Sequence, residues 1–318
     1  MSWLTGWNYR REHIITGSTN QLTDYQVGIK VYYAGTESGT ENIGGTVFGS
    51  VHCHSHCRLD FKDIRFSIDD VNKLPFWIES IDDTEHSAII WVKIGTLPAS
   101  PATITLHVYY GNDSAPDESN GSTTFPLLFD HFDDGDYDAW TAVTANGGQI
   151  TETGTTLALY CPTTANAYAR IYDSSTFQYK VFRARFKSSV GLQTNQFRHF
   201  GFSNNPTTLD YALFDYLSST GFKALTQVTV PSTHLTQTSL TTPTSDTYYT
   251  FTIYRISSSL TKFYIDNTEV ASHTTDISTG NLSIGLYNGN TATTSSAVTD
   301  TYDWVFVRKY ANPEPTHG

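Results

Sequence analysis

Thr103-Ile104-Thr105-Leu106-His107-Val108-Tyr109-Tyr110 decides the fold. Side chains of an extended chain alternate faces with a period of two. Ile104, Leu106, Val108 and Tyr110 therefore share one face, with Thr103, Thr105 and His107 opposite. This is a strand with one buried and one wetter side. The alternation recurs in both directions: Val27, Ile29, Val31 and Tyr33 upstream, then Phe182, Ala184 and Phe186 against Val181, Arg183 and Arg185, then Leu282, Ile284 and Leu286. Asn146-Gly147-Gly148, Asp266-Asn267 and Asn288-Gly289-Asn290 read as turns between strands. No long stretch carries a 3.6-residue apolar period. Short strands split by polar turns predict an all-β chain of sandwiches or barrels.

Composition agrees. Charged residues make up only 16% of the chain, and Thr, Ser, Asn and Gly carry the polarity, which suits half-exposed strands of a surface protein. A length of 318 residues predicts two domains. The net charge is −12, with −7 on residues 1–122 and −5 on the rest, and no basic stripe appears. Phosphate backbones would be repelled, so no nucleic-acid partner is expected. No apolar run approaches the roughly 20 residues of a bilayer span, so no direct membrane insertion is expected either. Met1-Ser2-Trp3-Leu4-Thr5-Gly6-Trp7 has neither the basic nor the apolar region of a signal peptide. An extracellular style without an export signal predicts a virion protein released by lysis, or a chain trimmed of its leader. The expected location is a virion or an extracellular or cell surface. Cys53, Cys57 and Cys161 are an odd set and no disulfide framework.

Residues 112–124 are almost free of apolar side chains and read as a solvated connector, while Phe125-Pro126-Leu127-Leu128-Phe129 opens a second core. Residues 311–318 offer nothing to bury and read as a flexible tail. Asn-x-Ser sequons stand at Asn112, Asn120 and Asn281.

Two resemblances cover nearly the whole chain. Trp7-Asn8-Tyr9-Arg10-Arg11, Asp63-Ile64-Arg65-Phe66, Trp77-Ile78-Glu79, Ile90-Trp91-Val92-Lys93-Ile94 and Tyr109-Tyr110-Gly111-Asn112 resemble, in order and spacing, a domain family of unknown function found in bacterial and archaeal surface proteins and viral genomes. Phe129-Asp130-His131-Phe132-Asp133, Tyr249–Arg255, the hairpin Phe263–Val270 and Tyr302–Arg308 resemble a concanavalin A-like or laminin-G-like jelly roll. The expectation is two tandem β-sandwich domains, 1–111 and 125–310, the second a concanavalin-like jelly roll.

Candidate metal ligands fall in two places. His52-Cys53-His54-Ser55-His56-Cys57 would, as a strand, set His52, His54 and His56 on one face and both cysteines on the other, and imidazoles two residues apart can chelate a zinc-like ion. A turn would instead bring Cys53 near Cys57; the bland reading is a His-rich hairpin tip. Asp130, Asp133, Asp134, Asp136 and Asp138 open the second domain and Asp303 lies near its close. Jelly rolls of the resembled kind often hold a structural Ca²⁺ where chain ends meet, which nominates Asp130, Asp133 and Asp303. Hard carboxylate oxygens suit that ion, and the competing reading is an acidic turn in solvent.

Catalytic signals are thin. The glycosidases of the resembled fold carry Glu-x-Asp-x-x-Glu, whereas residues 125–318 hold only Glu152, Glu269 and Glu314, none in that motif. Asp210 and Asp215 are five apart, which places them on opposite faces of a strand. Aromatic supply is rich, and Phe197–Phe202 with Leu209–Leu217 mix rings and polar groups. Arg198, His199, Tyr211 and Asp215 are the glycan-binding candidates there, against the reading that these aromatics are sandwich core. Arg65 and Glu79 are expected to pair across strands as structure.

The sequence therefore leads to a non-catalytic surface protein that recognises or displays glycans, as a virion spike, fibre or decoration. Its partners would be cell-surface or environmental glycans and other copies of itself or particle proteins. Two alternatives stand beside it: a purely structural assembly protein, and a polysaccharide-degrading enzyme with an unrecognised carboxylate pair.

Overall fold

The computed structural model describes residues 3–36, 39–137, 139–191, 193–203, 210–217, 219–229 and 232–318. Asp138 and Leu209, both named above, lie outside them. The chain is all-β and divides into two compact units, Met1–Phe129 with Arg308–Gly318, and Asp130–Val307. The first contributes β1 (Tyr9–Thr16), β2 (Leu22–Tyr32), β3 (Gly39–Ile43), β4 (Thr46–His52), β5 (Arg65–Ser67), β6 (Phe76–Asp82), β7 (Ser87–Leu97), β8 (Thr103–Tyr110) and the single-turn helix α1 (Gly121–Thr124). After β9 (Leu128–Asp130) come β10 (Trp140–Ala145), β11 (Gln149–Glu152), β12 (Leu157–Cys161), β13 (Tyr168–Asp173), β14 (Lys180–Ser188), β15 (Gln196–Ser203), β16 (Tyr211–Leu217) and β17 (Gly221–Val228). They are followed by β18 (His234–Ser239), β19 (Tyr249–Ser257), β20 (Leu260–Ile265), β21 (Thr268–His273), β22 (Ser283–Asn290) and β23 (Val298–Lys309), and β24 (Thr316–His317) returns to the first unit. Among the described residues no helix is long and apolar enough to cross a membrane.

The first unit is a sandwich of a four-stranded sheet, β24-β1-β8-β5, and a five-stranded sheet, β3-β4-β2-β7-β6. Leu106, Val108 and Tyr110 of β8 meet Val27, Ile29 and Val31 of β2 and Ile90, Val92 and Ile94 of β7 in one core, as the period-two pattern requires. The other face of β7 is covered too. Trp91 is fully buried, with the Phe48 ring 4.9 Å away, the Phe125 ring 5.9 Å away and the Arg308 guanidinium carbon 5.2 Å above it.

That second apolar face moves the boundary expected from the sequence. Phe125, buried, and Phe129, part-buried, pack on Trp77 at 5.8 and 5.0 Å, so both belong to the first unit. Burial of such a ring stabilises by roughly 2–3 kcal/mol, which ties the segment down. Residues 112–124 are not a free connector: Ala115 and Thr124 are buried, and Asn120 caps α1 by accepting from Thr123 N at 2.9 Å. The expected flexible tail is likewise docked. Ala311 joins the core, Glu314 accepts from Arg308 Nη1 at 2.6 Å and Tyr25 OH at 2.7 Å, and Thr316 and His317 pair with Thr16 and Ile15.

The second unit is a concanavalin-like jelly roll. A seven-stranded sheet, β10-β13-β22-β15-β16-β17-β18, faces an eight-stranded one, β11-β12-β23-β14-β19-β20-β21 with β9 beside β23. Phenylalanines fill the space between: Phe200 lies 4.9 Å from Phe186 and 5.0 Å from Phe251, and Phe214 lies 5.4 Å from Phe263. Asn288-Gly289-Asn290 is not a turn but the end of β22. Its amides are buried because they serve neighbouring backbone: Asn288 Nδ2 donates to Leu159 O at 2.8 Å and Asn290 Oδ1 accepts from Ala167 N at 3.0 Å.

Candidate functional site

The outward face of the seven-stranded sheet carries the best-formed site. Strand register sets Arg170 opposite Tyr287, Tyr287 opposite His199, His199 opposite Asp215 and Asp215 opposite Lys223. The adjacent rung reads Tyr172, Gly285, Gly201, Leu213. Two glycines side by side leave that rung without side chains at its middle, and the sheet surface sinks there. Gly201, at φ +133, has no room for a Cβ, which would meet Ile253 Cδ1 at 2.6 Å. The depression is a cavity of about 220 Å³ lined by Arg170, Tyr172, Phe197, His199, Tyr211 and Tyr287 among others.

At its edge His199 Nε2 lies 2.9 Å from Asp215 Oδ1; the imidazole is 34% exposed and the carboxylate 3%. An ionised carboxylate only accepts hydrogen bonds, so this contact favours the tautomer with the proton on Nε2 and leaves the Nδ1 lone pair free. Asp215 Oδ1 has no hydrogen-bonding partner besides this contact among the described residues. Burial pushes the Tyr287 phenol up to about 12, against the opposing pull of Arg170. Burial, then Asp215 and Asp210, raises that of Tyr211. Both phenols stay protonated, and able to donate, at neutral pH.

Of the four residues nominated for glycan binding, His199 and Tyr211 line this cavity and Asp215 sits beneath His199. Arg198 does not join them. It points between the sheets, its Nε 3.2 Å from Asp300 Oδ1 and its guanidinium 4.6 Å from the Tyr216 ring. Asp210 is apart from Asp215: its carboxylate accepts from Thr229 N and Oγ1 and from Ser278 Oγ at 2.8–2.9 Å. Arg170, Tyr172 and Tyr287 were not singled out from the sequence. The signal was present, since Tyr168, Arg170 and Tyr172 alternate with buried Ala169 and Ile171.

The calcium set does not assemble. Asp130 accepts from Trp140 Nε1 at 2.6 Å and Phe132 N at 2.8 Å, Asp303 is paired with Arg185, and Asp133 lies 3.4 Å from His131. Asp130 neighbours Asp134 and Asp133 but not Asp303, and burial, then Asp134 and Asp130, pushes Glu152 up to about 7.

The zinc-like set is dispersed as well. β4 ends at His52, and a turn with positive φ at His54 and Ser55 carries both cysteines into the first unit's core. His52 Nδ1 contacts Ala34 O at 2.8 Å, His54 contacts Arg11, and His56 stacks on Tyr9 at 4.2 Å. Among the described residues no group of three or more His, Cys, Asp or Glu is placed to hold a metal ion.

The expected Arg65–Glu79 pair is also corrected. Arg65 Nε lies 3.0 Å from Glu118 Oε2, and Glu79 accepts from Trp91 Nε1 at 2.7 Å. Glu118, within residues 112–124, is the carboxylate that pairs with Arg65.

A family model described as a domain of unknown function (DUF2341) matches residues 60–143. No curated protein matches the sequence. Among solved structures the chain is similar to a β-glucanase of Bacillus licheniformis, at 15% identity over 57% of this chain and 98% of that one with a TM-score of 0.46. It is similar to a prokaryotic β-1,3-1,4-glucanase (lichenase) from a mouse hindgut metagenome, at 18% identity over 57% and 99% with a TM-score of 0.47. It is also similar to the catalytic domain of an endo-1,3-β-glucanase (laminarinase) from Thermotoga petrophila, at 12% identity over 57% and 96% with a TM-score of 0.45. These are glucan-degrading enzymes rather than non-catalytic spikes, fibres or decorations, and the expectation of a non-catalytic virion glycan-display protein is withdrawn.

Proposed function

We propose that the second unit binds a polysaccharide chain across the seven-stranded sheet and cleaves it, with His199 as the group that moves the proton and Asp215 as the residue that positions it. The observation that carries this reading is the 2.9 Å contact between a half-exposed imidazole and a buried carboxylate at the edge of an aromatic-walled cavity. Sugars offer apolar ring faces to aromatics, and Tyr287, Phe197 and Tyr172 supply them.

An imidazole oriented by a carboxylate can serve as a general base. His199 would take a proton from the attacking water at Nδ1 while a neutral phenol of the cavity protonates the departing glycosidic oxygen, and the imidazolium would then give its proton back to the phenolate, restoring both groups. Two-carboxylate hydrolysis requires carboxyl groups about 5–9.5 Å apart. Asp215 is the one carboxylate in the described rungs around this cavity, and so the reading places proton transfer on the imidazole.

The test is release of new reducing ends from a broad panel of neutral and acidic polysaccharides by the purified chain. Steady release from at least one polymer is expected. No release from any of them, at high enzyme load and across pH 5–9, removes the reading.

A further inference from the structure

Arg170 is the uncompensated charge of the cleft. The other arginines described in the second unit are bonded: Arg185 to Asp303, Arg198 to Asp300, Arg183 to Thr252, and Arg255 to the carbonyls of Phe177, Ser278 and Gly280. Arg170 has no hydrogen bond and no ion pair among the described residues, and its Nε is shut off from solvent without a partner. Its guanidinium carbon lies 5.4 Å from the Tyr168 ring and 5.8 Å from the Tyr287 ring. The rings cover part of the cation and strip it of water, while the remaining edge borders the cavity.

The rest of the rung does not cancel this charge. Asp215, its one carboxylate, is engaged by His199, and Lys223 adds a second cation, donating to Gln237 Oε1 at 2.8 Å. A cation-rich rung in a chain of net charge −12 is a local feature, not a reflection of bulk composition. A flat guanidinium with a free edge fits a planar or tetrahedral oxyanion through paired N–H donors.

We propose that the ligand of this cleft is an anionic glycan, one bearing carboxylate or sulfate groups, and that Arg170 holds the acidic group while the neighbouring rings take the sugar faces. This rests on the reading that the cleft binds and cuts polysaccharide, and it names the class of chain.

The experiment uses the whole chain and polymers paired on one backbone: polygalacturonate with its methyl ester, and dextran sulfate with dextran, with laminarin as a further neutral probe. Binding is followed by affinity electrophoresis and cleavage by reducing ends. The charged member of one pair should bind at least about tenfold more tightly, the scale of one charge-assisted hydrogen bond. Which pair responds separates carboxylate from sulfate. Arg170→Gln should collapse the preference to within about threefold, and Arg170→Lys, which keeps the charge, should retain part of it. Equal binding within both pairs, activity confined to neutral polymers, or an unchanged preference in Arg170→Gln overturns this inference and leaves the polysaccharide reading standing. No binding and no cleavage of any polymer overturns both.

Discussion

Tyr287 stands directly opposite His199 in the β15–β22 register, their ring centroids 6.0 Å apart and their planes 26° from parallel. Phe197 at 5.0 Å and Tyr168 at 5.7 Å lie nearly parallel to the same ring. Tyr287 is thus the centre of an aromatic layer beside the His199 imidazole. Tyr287→Ala is expected to raise KM on a polysaccharide by about tenfold, the worth of one aromatic stacking contact, with a smaller effect on kcat. Steady-state kinetics of the variant on the best polymer of the panel checks this. A change in kcat alone would give the ring a different role.

Arg198 and Asp300 form an ion pair shut between the two sheets. Burial pushes the Asp300 carboxyl up to about 6, with Arg198 acting against it. The folded unit therefore holds a proton that the unfolded chain has released between about pH 4 and pH 6. This contribution is full at the acid end and is lost as pH rises through 6. Arg198→Met leaves the carboxylate without its cation and should cost about 3–5 kcal/mol at pH 8. The loss should be clearly smaller at pH 5, where Asp300 takes the proton instead. Urea unfolding of the variant at the two pH values reads the difference, and an equal loss at both would show that the pair is not what titrates.

His13 Nε2 and His317 Nδ1 are 2.8 Å apart where β24 meets the first unit. Burial lowers His13 to about 4; burial, then the proximity of His13, lowers His317 to about 3. Both are neutral in the fold and take protons at ordinary pH only when unfolded. The stability this gives is complete above about pH 6.5 and drains away as pH falls toward 4. A loss on the order of 3 kcal/mol between pH 7 and pH 5 is expected in the first unit's unfolding transition. The double variant His13→Gln, His317→Gln should flatten that slope. A slope unchanged by the double variant would assign it to other groups.

Which parts of this were legible in the sequence follows from what fixes each part. Strands such as β2, β8 and β14 were readable because one buried face imposes a period of two on the sequence itself. The boundary at Phe129 was not, because Phe125 and Phe129 look the same whether they meet Trp77 and Trp91 or a second core. Asn288-Gly289-Asn290 has turn composition, yet its amides are held by distant backbone groups that local pattern does not show. In the cleft, Phe197–Phe202 carries rings on both faces. The outward side is set by the Gly201–Gly285 rung and by Asp300 drawing Arg198 inward, both contacts between strands far apart in the chain.

The cysteines offer a simple check on packing. Contact with Cys57 and burial push the Cys53 thiol well up, and burial, then Asp300, pushes Cys161 up to about 11. All three are buried, and thiolates, not thiols, are the reactive form. Native protein at pH 8 should show almost no labelling by an aromatic disulfide reagent over minutes, and all three thiols should react in guanidinium. Rapid labelling of the native chain would contradict the turn that carries Cys53 and Cys57 inward.

The most direct test of the central claim is reducing-end release by wild type and Asp215→Asn, run side by side on a polymer the wild type cuts. Asp215 is buried and acts through His199, so the substitution should keep the unfolding midpoint and cut the rate by about 10²–10⁴, the scale of general acid–base catalysis. The loss should fall on kcat rather than on KM. Asp215→Asn with the rate of the wild type would contradict the account, because the His199–Asp215 contact would then be a structural pair and the chemistry would lie elsewhere.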